Sequence, residues 1–401
     1  MYGFITIPSG IIYEIVNHPW FQRLTRIRQL GLTYLVYPGA IHTRFQHTLG
    51  ALHLMNEAIE VLRSKGHEIT DSEKESAGLA ILMHDIGHGP FSHALEHMIT
   101  GGLTHEKLSE IIMQRLNKQY AGALTEAISI FRNEHPKKFL HSLVSSQLDV
   151  DRLDYLNRDS FFTGVSEGVI SSDRIIKMLE INDNDLVVEE KGIYSVEKFI
   201  IARRLMYWQV YLHKTVLSAE MLLVNIIQRA RELALSGDGD LFCTPCLSEL
   251  LYNKHDVEEF QKNNSLLECF VRLDDADVLA SVKVWCSHPD PTLAYLCKSL
   301  INRRLYKVRI SNEPFDEKLI RNCTSAAMEN YKVDQQLAHY YCFTSSIENN
   351  AYSSSSEKIN ILYKSGEVRD IASASDNLNI SVLSNPVKKH YLCAFEDLLP
   401  S

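Results

Sequence analysis

Helix start and stop signals recur from Ile12 to about Leu235, and they limit the front of the chain to a largely helical fold. One clear start is the run Thr70-Asp71-Ser72-Glu73, which fits a capping box that satisfies two backbone N–H groups reciprocally. Apolar residues then continue as far as the pair His84-Asp85, and Gly87 ends the run. The pair His84-Asp85 is therefore expected at the C-terminal end of a helix.

Periodicity also predicts how the rest of this part is divided. It predicts two helical pieces within residues 133–150 and one long helix over residues 199–235. Alternating residues at 185–189 and 192–196 predict two short strands that form an inserted β-hairpin. We therefore expect a helical domain over residues 1–235 that carries this hairpin.

Residues 236–401 have a less regular pattern, in which serine and cysteine are common. Helical periodicity is present at 247–260 and 276–285. Four later segments have the alternation of strands, namely 305–310, 339–344, 358–363 and 378–383. This part is expected to be a smaller helical and α+β region, so the fold class as a whole is mainly α.

Composition excludes several classes of protein. The chain has 401 residues, 45% of them hydrophobic, which is enough for a large core or two domains. It has no run of about 18 apolar residues and no signal-peptide pattern, so we expect a cytoplasmic protein with no membrane partner. All eight cysteines lie beyond residue 240, without a disulfide framework, and we expect them to be reduced. A formal net charge of −9 argues against nucleic acid as a partner.

Four short motifs in the helical part contain residue types that bind metals and phosphate. Imidazole and carboxylate together suit divalent ions such as Zn, Mn, Fe, Co and Ni, and a cysteine-free set argues against a structural zinc site. The combination indicates metal-assisted hydrolysis of a phosphorylated substrate. The motifs are Arg44-x-x-His47, His84-Asp85-x-x-His88, Thr104-His105-Glu106 and Asp149-x-Asp151-Arg152.

The spacing within the motifs supports this interpretation. Arg44 and His47 are three residues apart, so one helix face can present both a phosphate contact and a metal ligand. His84 and Asp85 are neighbours, and they can reach one ion only from a frayed helix end. A single histidine on a helix is usually structural, so it is the grouping that indicates a metal centre. The remaining ligand is expected to be a carboxylate, and Asp149, Asp151 and Asp154 are all candidates.

These residues belong to a longer pattern that resembles the HD-domain phosphohydrolases. Within that family it is most similar to the branch of SAM- and HD-domain dNTP triphosphohydrolases and bacterial dGTPases. The resemblance covers residues 10–230 and is weaker after about residue 300. Its densest parts are His84-Asp85-x-Gly87-His88-Gly89-Pro90-Phe91-Ser92-His93 and Asp149-x-Asp151-Arg152-x-Asp154-Tyr155-x-x-Arg158-Asp159. It implies that the helical part is an HD-domain core.

The resemblance also implies a metal centre and a reaction. The implied ligands of one divalent ion are His47, His84, Asp85 and Asp151. The identity of the ion stays open among Mn, Fe, Zn, Ni, Co and Mg, because these donors bind several of them. The implied reaction is hydrolysis of a deoxynucleoside triphosphate by water, which yields the deoxynucleoside and inorganic triphosphate.

Further roles follow from the same resemblance. Arg44 and His93 would bind phosphate, while His88 and His105 would act as acid and base. Glu106 would favour the imidazolium form of His105 or fix its tautomer. The implied substrate contacts are Gln29, Leu30, Arg152, Tyr155, Asp159, Arg203 and Tyr211. Of these, the two tyrosines are expected to exclude a 2′-hydroxyl group.

Two other functions stay open on the sequence alone. One is an HD phosphohydrolase that acts on another nucleotide or phosphoester, since Tyr207 replaces a histidine that contacts substrate in the mammalian members. The other is a non-enzymatic module that senses a nucleotide, against which the presence of both His88 and His105 argues. In each case the partner is a nucleotide or related phosphoester, and the resemblance implies a homo-oligomer, either a dimer or a larger assembly.

Overall fold

The computed structural model is mainly α-helical, as the sequence predicted. It describes residues 1–91, 95, 98, 102–237, 241–349, 352, 358–375 and 387–399. The first helices are α1 (Ile11–Asn17), α2 (Pro19–Gln22), α3 (Arg44–Ser64), α4 (Asp71–Met83), α5 (His105–Gln119), α6 (Thr125–Phe131), α7 (Lys138–Val144) and α8 (Val150–Thr163). Within the predicted helical range 133–150, only α7 and the first residue of α8 are helical, because the chain turns at Asn133, with φ of 58°, and at Pro136.

The predicted capping box opens α4. The Thr70 N–H donates to Oε2 of Glu73 at 2.7 Å, and the Glu73 N–H donates to Oγ1 of Thr70 at 3.2 Å. The helix ends at Met83, and His84 is its C-cap residue. The prediction that His84 and Asp85 lie at a helix end is therefore confirmed.

Helix α3 is the centre of the front half, where it packs against both α4 and α8. Its core side chains include Leu52, Leu54 and Met55, none of which is exposed. Burying one such side chain contributes roughly 1.5–3 kcal/mol to folding. This packing brings together the first turn of α3, the end of α4 and the first turn of α8.

The inserted hairpin is present, but one of its predicted strands is wrong. After α9 (Ser172–Lys177) the chain forms β1 (Leu179–Asn182) and β2 (Asp185–Glu189), which pair antiparallel. The turn lies at Asp183 and Asn184, which have φ of 49° and 73° and form the two-residue loop that a tight hairpin favours. Residues 192–196 instead begin the next helix, α10 (Ile193–Met206).

The long helix predicted over 199–235 is divided in two. Helix α10 ends at Met206, a π-helical turn follows at Tyr207–Tyr211, and α11 spans Lys214–Leu235. The segments Glu190–Tyr211 and Lys214–Leu235 are bent by 59°. Within the described ranges no single helix is long and apolar enough to cross a membrane, and this bent pair meets the length and composition test only when it is taken together.

The second part of the chain combines helices with short strands. Its helices are α12 (Pro245–Tyr252), α13 (Val257–Lys262), α14 (Asn264–Phe270), α15 (Asp275–Trp285), α16 (Pro291–Ile301), α17 (Glu317–Tyr331), α18 (Gln335–Ala338) and α19 (Ile371–Ala374). Its strands are β3 (Lys307–Ser311), β4 (Cys342–Asn349), β5 (Asn360–Leu362), β6 (Val368–Asp370) and β7 (Val387–Ala394). Three of the predicted strands correspond to β3, β4 and β5, while the strand predicted at 378–383 lies outside the described residues.

The strands form two small sheets. One is antiparallel, with the order β3-β7-β4. The other has the order β1-β2-β5-β6, in which β5 pairs parallel with β2 through Val188 and Ile361. A strand from the second part of the chain therefore continues the hairpin sheet of the first part. All eight cysteines are free thiols in the structure.

Candidate active site

Helices α3 and α8 approach each other closely beside the predicted metal ligands. A Cβ atom at Gly50 would lie 2.0 Å from Oδ1 of Asp154 and 2.1 Å from Nη2 of Arg158, so only glycine fits there. As a result Nε2 of His47, on α3, lies 3.0 Å from Oδ1 of Asp151, on α8. Two ligand candidates from distant parts of the chain thus meet.

The other two predicted ligands come from the end of α4. Ligand atoms of His47, His84 and Asp151 all lie within 4.8 Å of one another. Asp85 is next to them, with Oδ1 at 3.2 Å from Nε2 of His84 and Oδ2 at 3.8 Å from Nε2 of His47. The structure therefore brings together the four residues that the resemblance implied.

The two histidines are oriented for metal binding. Nδ1 of His47 lies 2.8 Å from Oδ2 of Asp154, and Nδ1 of His84 lies 2.6 Å from the carbonyl oxygen of Ile81. An Nδ1–H that donates to either oxygen leaves the lone pair on Nε2, as in many metal-binding histidines. Nε2 of His47 is buried, and it faces the carboxylates of Asp151 at 3.0 Å and Asp85 at 3.8 Å. These donors fit a divalent ion.

Adding a divalent ion such as Mn²⁺ should therefore stabilise the folded protein. The expected gain is about 2.7 kcal/mol at a free ion concentration of about 100 times Kd. Thermal unfolding with and without the ion measures it. The variant His47→Ala should lose the gain, whereas His53→Ala, which removes a partly exposed histidine of the same helix, should keep it. An equal gain in both variants would contradict this assignment.

The gain in stability from the divalent ion should also depend on pH. Burial alone lowers the pKa of His47, but Asp151 and Asp154 outweigh it and raise the pKa to about 10. Asp85 and Asp151 likewise raise the pKa of His84 against the effect of burial. Protons therefore compete with the ion more strongly as the pH falls, and the gain should be smaller at pH 6 than at pH 8.

Asp85 is held as a carboxylate by its neighbours. Burial alone would raise the pKa of Asp85, but the charges of His84 and Arg44 and the hydrogen bond from His88 hold it well below its ordinary value. Nη1 of Arg44 donates to Oδ2 of Asp85 at 2.6 Å. Arg44, which was predicted to bind phosphate, therefore also fixes the orientation of a candidate ligand.

The two histidines predicted as acid and base lie side by side. The rings of His88 and His105 stack with their centroids 3.8 Å apart and their planes at 15°. Gly87 permits this arrangement, because a Cβ there would lie 2.2 Å from the carbonyl oxygen of His105. Ser109 ties the two segments together, since its Oγ donates to the His84 carbonyl oxygen at 2.7 Å and accepts from the Gly87 N–H at 2.9 Å.

The electrostatic environments of these two histidines differ. Burial and the nearby charge of Arg44 lower the pKa of His88 well below its ordinary value, so its imidazole is neutral at neutral pH. Oε1 of Glu106 lies 3.3 Å from Nε2 of His105, as the sequence suggested. His105 therefore has the carboxylate of Glu106 beside its ring, whereas His88 has that of Asp85.

A cavity of about 490 Å³ opens beside these groups, within the size range of small-molecule sites. Predicted residues that line it are Gln29, Leu30, Arg44, Asp85, His88, His105, Asp151, Tyr155, Asp159 and Tyr211. Two predicted contacts, Arg152 and Arg203, are not among the described residues that line the cavity. Arg152 instead forms an ion pair with Asp149, and both arginines are close enough to affect the pKa of Tyr155. His93, predicted to bind phosphate, lies outside the described residues.

The tyrosine side of the cavity is fixed by a buried carboxylate. The hydroxyl of Tyr211 donates to Oδ2 of Asp159 at 2.7 Å, and Nε2 of His42 lies 2.7 Å from Oδ1 of the same group. Asp159 is only 1% exposed, and each of its two oxygens contacts one of these partners. The ring of Tyr155 stands at 74° to that of Tyr211, with the centroids 6.3 Å apart.

Sequence reasoning missed several residues of this site. One is His42, which does not line the cavity but supports Asp159. Glu220 of α11 is another, and burial raises the pKa of this carboxyl to about 7. Glu220 follows the buried residues Val216 and Leu217 at helical spacing, so an acid on an apolar face was a signal that could have identified it. The signal for His42 was weaker, because a single histidine in a loop has no pattern.

Comparisons with known proteins agree with this geometry. Residues 44–159 match the family model of the HD domain, and residues 170–238 match that of an HD associated region. Uncharacterized protein YwfO of Bacillus subtilis is 34% identical over 314 residues, which cover 77% of this chain and 70% of that protein. The deoxynucleoside triphosphate triphosphohydrolase SAMHD1 homolog of Dictyostelium discoideum is 30% identical over 257 residues, which cover 59% of this chain and 50% of that protein.

One solved structure is similar over almost the whole chain. It is the crystal structure of a phosphohydrolase from Bacteroides thetaiotaomicron, with 54% identity and a TM-score of 0.94. The match covers 98% of this chain and 97% of that one. Both the helical part and the smaller α+β region therefore have a counterpart in a single known protein.

Proposed function

Because the chain belongs to the HD-domain phosphohydrolase family, we propose that it hydrolyses deoxynucleoside triphosphates to a deoxynucleoside and inorganic triphosphate. One observation carries the proposal: a single cavity joins the candidate ligands Asp85 and Asp151 to the paired rings of Tyr155 and Tyr211. A nucleotide is a phosphoester that suits both ends, with its phosphates beside the ligands and its sugar and base beside the rings. The Dictyostelium relative, a deoxynucleoside triphosphate triphosphohydrolase homolog, adds support for this substrate class.

The residues of the site divide into two groups in this proposal. His47, His84, Asp85 and Asp151 would hold a divalent ion, which when bound supplies Lewis acidity toward a phosphate oxygen and a more acidic water. His88, neutral and facing the cavity, is suited to accept a proton from the attacking water. His105, with Glu106 at 3.3 Å, is suited to hold the proton that the leaving 5′-oxygen receives.

The tyrosines support a preference for deoxyribose. Tyr211 is tied to Asp159, which His42 also holds, so this ring cannot move away without breaking buried hydrogen bonds. A ribose 2′-hydroxyl against such a ring would lose its water without gaining a partner, which costs roughly 1–3 kcal/mol. We therefore expect ribonucleoside triphosphates to be poorer substrates.

Product identity tests the proposal. Purified protein with Mn²⁺, Mg²⁺, Co²⁺ or Fe²⁺ should convert at least one of the four dNTPs to its deoxynucleoside and inorganic triphosphate. Ion-exchange chromatography separates triphosphate from orthophosphate, and ribonucleotides, monophosphates and p-nitrophenyl phosphate complete the substrate panel. Release of orthophosphate from another substrate, with every dNTP intact, would instead favour a different HD phosphohydrolase. Nucleotide binding without turnover would favour a sensor.

A further inference from the structure

A buried carboxylate of the second part of the chain binds two sides of the cavity. Asp275, the first residue of α15, is 5% exposed. Its Oδ2 accepts from the N–H of Arg28 at 3.0 Å, and its Oδ1 accepts from the N–H of Phe91 at 3.3 Å. Arg28 and Phe91 both line the cavity, yet they are 247 and 184 residues away from Asp275 in sequence.

The two residues before Asp275 bind the same N-terminal segment. The carbonyl oxygen of Leu273 accepts from Nη1 of Arg23 at 3.2 Å, and Oδ2 of Asp274 accepts from Nε of Arg26 at 2.5 Å. Arg23 is fully buried, and its Nη2 also donates to the carbonyl oxygen of Ile86 at 2.7 Å, directly after Asp85. We call Leu273, Asp274 and Asp275 the C-terminal clamp.

The clamped segment is bound on its other side to the start of α3. The Gln29 N–H donates to the His42 carbonyl oxygen, and the Arg44 N–H donates to the Ile27 carbonyl oxygen, each at 3.0 Å. Residues 27–29 therefore lie between the C-terminal clamp and the helix that carries His47. A shift of Asp275 would move this segment relative to the candidate ligands.

The side chains on the clamped segment are arranged for a ligand. Among the described residues, Nη1 of Arg28 and Oε1 of Gln29 are buried and make no hydrogen bond, although both residues line the cavity. The guanidinium of Arg28 lies over the ring of Tyr34, 4.4 Å from its centroid, which limits its movement. Buried polar atoms without partners are uncommon in folded proteins, and a bound substrate is one way to satisfy them.

The backbone conformation of Phe91 is a second reason why its hydrogen bond to Asp275 matters. Its φ of 48° is a left-handed conformation that a bulky side chain adopts only when its surroundings hold it there. The hydrogen bond from its N–H to Asp275 is one such restraint. Burial raises the pKa of Asp275 to about 6, so the carboxyl group is still ionised at neutral pH. The two backbone N–H donors offset the cost of burying this charge.

We propose that Asp275 is a positioning residue that sets substrate affinity by holding the Arg28–Gln29 segment and Phe91 against the cavity. The identity of the substrate rests on the proposed function, whereas the link from Asp275 to the two backbone N–H groups does not. The link predicts an effect on KM more than on kcat, because Arg28, Gln29 and Phe91 line the cavity but are neither candidate metal ligands nor candidate acid–base residues.

The variant Asp275→Asn tests this role. Asparagine keeps the volume but has one acceptor oxygen, so its NH₂ group must face one of the two backbone N–H donors. We expect KM for the hydrolysed dNTP to rise roughly 10-fold and kcat to change by less than about 3-fold, as for the loss of one buried hydrogen bond. Hydrogen–deuterium exchange at the amides of residues 28 and 91 should become faster.

Asp290→Asn is the matched control. Asp290 likewise stands at the start of a helix, as the N-cap of α16, and pairs with Arg229 at 2.7 Å, but neither Arg229 nor its backbone partner Leu293 lines the cavity. Wild-type KM and exchange at residues 28 and 91 are expected in this variant. Unchanged KM and exchange in Asp275→Asn, or equal changes in both variants, would overturn the proposal. If the wild-type protein hydrolyses no dNTP, the proposed function fails, and the exchange comparison alone then decides whether Asp275 holds the segment.

Discussion

Replacing Asp85 by alanine should lower kcat at least about 1,000-fold, because in the proposed function it removes a candidate ligand of the divalent ion together with the partner of Arg44. Asp85 lies within 3.2 Å of Nε2 in both His84 and His88, and its second oxygen accepts from Arg44 at 2.6 Å. Among the described carboxylates, only that of Asp85 is paired with both His84 and His88. Initial rates of deoxynucleoside release, with wild-type protein measured in parallel, give the factor.

Loss of folding must be separated from loss of chemistry in this experiment. Asp85→Asn keeps the shape of the side chain and an oxygen for Arg44, so it should fold normally and still lose most activity. Asp71→Ala, at the first residue of the helix that precedes Asp85, is the control, since the Asp71 side chain is 97% exposed. If Asp85→Asn retained activity near that of Asp71→Ala, Asp85 could not be an essential ligand.

Replacing Asp154 by alanine should lower the free energy of unfolding by about 3–5 kcal/mol, because it leaves a buried charge without its partner. Asp154 is fully buried, and it accepts from Nε and Nη2 of Arg158 at 2.8 Å each. The same carboxylate also holds Nδ1 of His47 at 2.8 Å. Urea unfolding of the metal-free protein measures the loss.

The double variant Asp154→Leu/Arg158→Leu provides the control for this loss. Removal of both charges avoids an unpaired buried ion, so the double variant should be more stable than the additive expectation from the two single variants. Additive losses would show that the pair contributes nothing as a pair. Asp154→Asn should in addition bind Mn²⁺ about 10- to 100-fold more weakly, since it no longer fixes the tautomer of His47 as a carboxylate does.

The candidate metal centre was predictable because its residues lie in short motifs at helix ends. Arg44 and His47 share a helix face, and His84 and Asp85 follow a capped helix whose end Gly87 marks. The choice among Asp149, Asp151 and Asp154 was not predictable from spacing alone. In the structure, Asp149 caps α8 and binds Arg152, while Asp154 supports His47, which leaves Asp151 directed at the histidines.

The fold was less predictable where long-range contacts override local pattern. No proline or glycine marks the break between α10 and α11, so the sequence did not predict it. The π-helical turn at Tyr207–Tyr211 is instead stabilised by tertiary contacts such as that of Tyr211 with Asp159. The hairpin was misplaced by one strand, since Asp183 and Asn184 provide the tight turn and residues 192–196 suit a helix equally well. Each error concerns a segment whose local preference is weak.

The sequence by itself therefore determined the helical class of the fold and the candidate ligands His47, His84 and Asp85, and its resemblance to HD-domain proteins implied Asp151 as the fourth. The helical class and the first three ligands depend on periodicity, helix capping and residue spacing, which are local. Only the tertiary structure decided which carboxylate supports His47, how the cavity joins the ligands to Tyr155 and Tyr211, and that Asp275 reaches Arg28 and Phe91. Those contacts join residues that are distant in the chain, and they form only when packing of the core brings the helix ends together.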